Sequence, residues 1–242
     1  MKGIREYITR DMIKWSRSPV SVVSMLVMPA AWLIFVGLAL PVTFTGNYLD
    51  FIVPGILVMT MLSSSLNGGT LLMFDKILGF LNKFLALPTP RESILVGKIL
   101  FITIRGAIQA TIILVIAVLI GATILSPAQY GMIYLILLLF GFLMSACATT
   151  IALYLSDHDS YAAFNTMIAM PLFFTSSALM PYDVMPAWLR SIAHLNPLSY
   201  AIDAVRAAET GILPLVQIGL LIVLGGVVIA ICMHMFRRVT VG

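Results

Sequence analysis

The chain carries six apolar runs, at about 20–40, 51–74, 99–121, 130–155, 162–180 and 214–236. Each is close to the ~20 residues that a helix needs to cross ~30 Å of hydrocarbon. Hydrocarbon offers no water to an open backbone, so such runs fold as helices that satisfy their own N–H and C=O groups. Hydrophobic residues make up 61% of the 242 residues and charged ones 10%, with a mean hydropathy of +1.07. A soluble domain of this length needs far more polar surface. The fold class that follows is all-α integral membrane: six transmembrane helices in one domain, residues 1–242.

Charge placement gives the orientation. Lys2, Arg5, Arg10, Lys14 and Arg17 precede the first run, Lys76, Lys83, Arg91 and Lys98 lie between the second and third, and Arg237 and Arg238 follow the sixth. Only Arg190 and Arg206 fall on the other side, which by the positive-inside rule makes both termini cytoplasmic. The net charge of +4 therefore reads as membrane topology, not nucleic-acid affinity. Residues 1–18 read as an interfacial amphipathic helix, with Ile4, Tyr7, Ile8, Met12 and Trp15 at helical spacing. A plain basic flank predicts the charges but not this stripe. No cleavable signal is expected, because the N-terminus is charged and the first run is too long for one. Cys147 and Cys232 both lie in apolar runs and read as packing residues.

The fifth run leads into a stretch that cannot continue as one helix. Between Phe173 and Arg206 stand Pro181, Pro186 and Pro197, with charges among them. Each proline removes a backbone donor that lipid cannot replace. The expectation is a fifth span interrupted near the outer face, then an external re-entrant segment over 181–213. Short amphipathic helices over 185–195 and 198–208 belong to it, with Trp188 and Tyr182 as interfacial anchors.

The 75–98 segment is too charged to span and too apolar to lie free in water. Asp75 is placed to cap a short helix with Ile77, Leu78, Leu81, Phe84 and Leu85 on one face, ended by Pro88 and Pro90. Arg105 is the one charge inside an apolar run. It reads as snorkelling toward the headgroups, with a functional counter-charge as the second reading.

Two of these segments carry a resemblance. The small residues before Pro181, then Pro186-Ala187-Trp188-Leu189, then the LNPLSYAIDAVR run ending at Arg206 resemble the end of an ABC-2-type permease of the daunorubicin-resistance, multidrug kind. Phe74, Asp75, Gly79, Phe80 and Leu81 match that family's FD-x-x-x-G-F-L segment, and Pro90, Arg91 and Lys98 follow in order. The resemblance implies a type V exporter-like fold with a cytoplasmic coupling helix between spans two and three. Phe74, Asp75, Ile77, Gly79, Phe80, Leu81, Phe84 and Arg91 would then contact a separate ABC ATPase. It also implies two ATPase copies, a second copy of this chain or a paralogous permease, and a place in the cell membrane. Cargo would leave by alternating access. A hydrophobic or amphiphilic cargo, drug or lipid, is expected, and a lipid-linked glycan is the alternative.

The chain has no G-x-x-x-x-G-K-[ST] phosphate cradle, so ATP and Mg would be bound by the partner and no cofactor is expected here. No G-x-S-x-G or H-E-x-x-H motif appears either, so an enzyme is not expected. Asp157-His158-Asp159 resembles metal ligands, but three adjacent residues converge poorly on one ion. A capping turn with Asp159 or Ser160 as N-cap is expected, and no metal. Met59, Asn67, Asn165, Met170, Phe173 and Phe174 form a greasy surface with polar points, a candidate cargo pathway or equally plain helix packing. A six-span channel or secondary transporter is the rival from another class. It needs carboxylates at mid-membrane, whereas the acidic residues fall in loops or at span ends.

Overall fold

Every regular element among the described residues is helical, as apolar runs in lipid require. The computed structural model describes residues 4–37, 48–79 and 91–241, the side chains of 91, 92 and 237–241 excepted. In chain order the elements are α1 (Ile4–Ser16), α2 (Pro19–Ala31) with a π-helical continuation (Trp32–Val36), and α3 (Tyr48–Ile77). Then come α4 (Arg91–Leu119), α5 (Pro127–Tyr154) and α6 (His158–Phe174). A 3₁₀ turn (Tyr182–Val184) leads to α7 (Ala187–Leu195), α8 (Pro197–Glu209) and α9 (Leu215–Val241).

Five of these stretches are long and apolar enough to cross a bilayer: Pro19–Val36, Tyr48–Ile77, Ser93–Leu119, Pro127–Tyr154 and Leu215–Phe236. The expected span over 162–180 is different. Its helix α6 has 17 residues and ends at Phe174, a reach of about 25 Å at 1.5 Å per residue. Pro171 sits in its last turn, and the chain then leaves helical geometry. The short helices after it start and stop within two residues of the expected 185–195 and 198–208.

α3 is the central element and is buried over most of its length. Small residues let its neighbours come close: a Cβ on Gly69 would strike the Tyr161 hydroxyl, and one on Gly55 would meet the Ala178 backbone at 3.0 Å. Ser65 donates to the Gly141 carbonyl and accepts from Ser145, so it marks a helix contact. α2, α6 and α9 turn apolar side chains outward, among them Val23, Val27, Phe35, Met167, Val223 and Val227. Such faces suit lipid or another subunit.

The bundle has two distinct ends. A cluster holding Tyr7, Met73, Ile94, Leu153, Tyr161 and Phe236 gathers α1, the end of α3, the start of α4, the end of α5, the start of α6 and the last turns of α9 at one end. At the other, Asp50 accepts from Thr123 (2.8 Å), Arg206 donates to the Phe51 carbonyl (3.2 Å), and Gln129 donates to the Glu209 carbonyl (2.5 Å).

Candidate functional site

The first end is built where α1, α3 and α4 meet. The stripe on α1 has Tyr7 buried and Ile4, Ile8, Met12 and Trp15 half-buried. Gly97 on α4 lets α1 lie close, since a Cβ there would stand 3.1 Å from that of Tyr7. One turn beyond Tyr7 and one before Trp15, the same face carries Asp11, which is 5% exposed. Its Oδ2 lies 2.9 Å from the Lys98 ammonium, and Lys98 also pairs with Asp75. Arg10 bonds Asp11 Oδ1 through Nε at 2.8 Å and stands 3.5 Å from Asp75. Asp11 Oδ2 and Asp75 Oδ2 have no hydrogen-bond donor beyond these ion pairs among the described residues. Two cations and two carboxylates therefore form one mutually dependent knot across three helices. Removing one member of such a buried set leaves a charge without compensation.

Asp75 is thus not a helix cap. α3 runs on to Ile77, and the extra turn aims the Asp75 carboxylate at Lys98. The adjacent Lys76 reaches the other way and donates to the Leu153 and Leu155 carbonyls at 2.7 and 2.9 Å. It closes the C-terminus of α5, where backbone acceptors lack partners. Phe74 is 43% exposed and stacks on His158 with centroids 4.9 Å apart. Ile77 is exposed, and Gly79 has a φ of +71°, a conformation that glycine adopts without strain. Phe80, Leu81 and Phe84 lie outside the described residues, as do the Pro88–Pro90 break and the Arg91 side chain.

Above the knot, a cavity of about 330 Å³ opens between α1, α2, α3 and α4. Its lining includes Lys14, Trp15, Asn67, Phe74, Lys98 and Arg105. Arg105 does not snorkel. It is 1% exposed, donates to the Ser64 carbonyl at 2.6 Å and to Ser64 Oγ at 3.3 Å, and lies over Phe101 at 5.7 Å. A guanidinium held against a neighbouring helix's backbone cannot also extend to the headgroups.

The six residues of the candidate cargo pathway do not share one surface. Asn67 lines this cavity, its amide bonded to the Ser63 carbonyl. Met59 packs on the main core, and Phe173 is buried there, edge-on to Trp32 at 5.6 Å. Met170 and Phe174 are about half exposed on α6, and Asn165 is half-buried on the same helix.

The second end is held mainly by directional hydrogen bonds, with an ion pair between Arg206 and Asp203 at 3.8 Å. Asn196 caps α8 by accepting from Leu198 N–H, while its amide donates to the Leu172 carbonyl and Thr175 Oγ1. One side chain thus closes the start of α8 and the end of α6, the backbone groups that the proline break leaves open. Asp203 accepts from Ser177 and Tyr182 at 2.8 and 2.7 Å. Tyr182 also stacks on His194 with centroids 4.6 Å apart, so it is an internal strut and His194 has a partner. Trp188 is 66% exposed. Burial pushes the Tyr182 phenol up to about 12, helped by the hydrogen bond to Asp203. Burial pushes the Glu209 carboxyl up to about 8, with Arg206 opposing and Asp50 adding, and lowers Arg206 against Asp203 and Glu209.

The 157–159 turn does cap α6, but through Asp157, which accepts from Ser160 N–H at 2.7 Å and Ser160 Oγ at 2.8 Å. Those bonds hold its carboxyl below the ordinary value. No group of three potential metal ligands occurs among the described residues.

Asp11 is the residue that sequence reading missed. Its signal was an acid four residues from Tyr7 and four from Trp15, inside an apolar stripe. Asn196 also carried a signal, as an N-cap type before Pro197.

The comparisons agree with this architecture. A family model described as ABC-2 type transporter matches residues 3–210. The chain is 35% identical to the ycf38 protein of Cyanophora paradoxa over 209 residues, 82% of this chain and 71% of that one. It is 24% identical over 230 residues to the daunorubicin resistance ABC transporter permease protein DrrB1 of Streptomyces coeruleorubidus, 93% of this chain and 81% of that one. Against the inner membrane transport permease YadH of Escherichia coli K12 it is 24% identical over 196 residues, covering 79% and 76%. A bundle of bilayer-length helices, matched to one permease family from its first helix to its last short one, places this chain in the ABC-2 type transporter family.

Proposed function

We propose that the chain is the permease subunit of an ABC exporter, working as a pair with two copies of a separate ATPase. Both termini and the α3–α4 connection face the cytoplasm in this reading. Cargo is hydrophobic or amphiphilic, a drug or a lipid, and the name of the Streptomyces relative supports the first of these. A lipid-linked glycan is the alternative within the same family. The observation that carries the reading is the ion-pair knot. It joins the interfacial helix to the last turn of α3 and the first turns of α4, the two helix ends flanking residues 78–90. A push on that connection by a motor subunit would reach α1, α3 and α4 together, which alternating access requires.

The test replaces Phe80, Leu81 and Phe84 with Ala and follows complex assembly and cargo-stimulated ATP hydrolysis in lipid. Truncating a large interface anchor commonly costs ~2 kcal/mol, roughly thirtyfold in affinity. Loss of assembly or of stimulation, with insertion intact, is the expected result. Unchanged assembly and unchanged stimulation remove the connection as the coupling element. Labelling from outside in intact cells, on a cysteine-free background, is expected at Ala187→Cys and not at Lys83→Cys. The reverse pattern overturns the orientation.

A further inference from the structure

We propose that the cavity between α1, α2, α3 and α4 holds the anionic headgroup of a membrane phospholipid, with Arg105 as its anchor. The site rests on the chain's being embedded in a bilayer and not on any cargo or motor. Arg105 is 1% exposed, and its two hydrogen bonds both go to Ser64. It makes no ion pair among the described residues, whereas Lys98, two turns away on α4, is held between Asp11 and Asp75. A guanidinium is always charged and offers further donors that suit the oxygens of a phosphate. Burying that charge without an anion is costly, and an anion that reaches it removes the cost.

Asp11 and Asp75 also line the cavity, but both are bound to Lys98 and Arg10, which leaves Lys14 and Arg105 as its cations without an ion pair among the described residues. Lys14 adds a second cation at the cavity. The Trp15 indole N–H is buried and meets no acceptor among the described residues, although an indole in such a place ordinarily finds one. Met25, Leu71 and Phe101 supply apolar wall beside these groups. A space of about 330 Å³ is near the lower bound for a small-molecule site, enough for a headgroup and not for acyl chains. Those would lie outside it. The amphipathic helix α1, which brings Lys14 and Trp15 to the cavity, favours a lipid over a soluble anion. Arg105 stands about 10 Å along α4 from Lys98, inside a stretch apolar enough to span. To reach that level, a lipid of the leaflet in which α1 lies would insert its phosphate along the cavity from Lys14 and Trp15 to Arg105.

The experiment purifies the full chain from vesicles of equal phosphatidylglycerol and phosphatidylcholine and measures retained lipid by native mass spectrometry. Wild type is expected to keep phosphatidylglycerol over phosphatidylcholine by roughly tenfold, the effect of one charge-assisted bond. Arg105→Gln is expected to lose that preference, and Arg105→Lys to keep most of it. If Arg105→Gln does not fold, the Lys14→Gln, Trp15→Phe double variant decides, and its preference is expected to fall several-fold. Equal retention of both lipids by wild type overturns the proposal, as does a preference that survives in the folded variants. Displacement of the retained lipid by millimolar inorganic phosphate would assign the site to a soluble anion instead, and so overturn it.

Discussion

The two ends of the bundle solve the same problem with different chemistry. At the end holding the N-terminal helix, Arg10, Asp11, Asp75 and Lys98 join three helices through ion pairs, beside a cavity. At the opposite end, Asn196, Asp203, Ser177 and Tyr182 close short loops through directional hydrogen bonds. A hydrogen-bonded cap fixes one geometry, because its strength falls steeply with angle. An ion pair tolerates sliding, because Coulomb attraction falls only with distance. The charged end can therefore stay joined if its helices shift, whereas the capped end favours one arrangement. That division suits the proposed coupling to a motor subunit at the first end.

The largest break in this contrast is expected from Lys98→Met. It leaves Asp11 and Asp75 facing each other with Arg10 as their remaining cation. Losing one partner of a buried pair costs about 3–5 kcal/mol. Thermal unfolding in detergent is expected to drop sharply, with Lys98→Arg retaining most of the stability. A Lys98→Met chain as stable as the parent would mean that the knot is not structural.

Asn196→Ala probes the other end. It removes one N-cap and two donors to the end of α6, an expected loss of about 1–2 kcal/mol. Hydrogen exchange is expected to rise in α7 and α8 and to remain unchanged in α1. Exchange rising equally at both ends would erase the distinction between them.

The pH response sharpens it further. Glu209 in the folded chain lies above its ordinary 4.5, at about 8. Between those values the folded chain retains a proton that the unfolded chain has released, so stability falls as pH rises and levels off above pH 8. Glu209→Gln is expected to flatten that slope in a melting series. A series that stays equally steep in the variant places the slope elsewhere.

The smallest effect is expected from Asp157→Ala, at a fully exposed cap. Here the sign is opposite. The carboxyl is held below its ordinary 3.8, so its contribution is present above that pH and is lost as pH falls through the lower folded value. A slight drop in melting temperature at neutral pH that vanishes in acid is the expected reading. A drop that persists unchanged in acid would assign the loss to something other than the charged cap.

Much of the candidate site was legible in part. The proline-broken stretch was legible from what lipid forbids, whereas most of the loop residues after Asp75 picked out by apolar spacing lie outside the described residues. The readings of Asp75 as a cap and Arg105 as a snorkelling side chain were local, each using only neighbours along the helix. Both fail because their partners come from elsewhere in the chain: Lys98 and Arg10 for the first, Ser64 for the second. Phe173 looked like a lining residue for the same reason, and only the approach of Trp32 makes it core.

By itself the sequence determined that the chain lives in a membrane, where its long helices run, and that a continuous helix cannot cross residues 181–197. Those follow from hydropathy, length and the missing proline donor, which depend on composition over a window and not on packing. Tertiary structure alone decided that α6 stops at Phe174 and is sealed by Asn196, that Asp11 meets Lys98, and that Arg105 faces a cavity. Each of these joins residues between 21 and 87 positions apart. Their meeting depends on which faces of α1, α3, α4 and α8 come together, and an apolar pattern alone leaves that choice open.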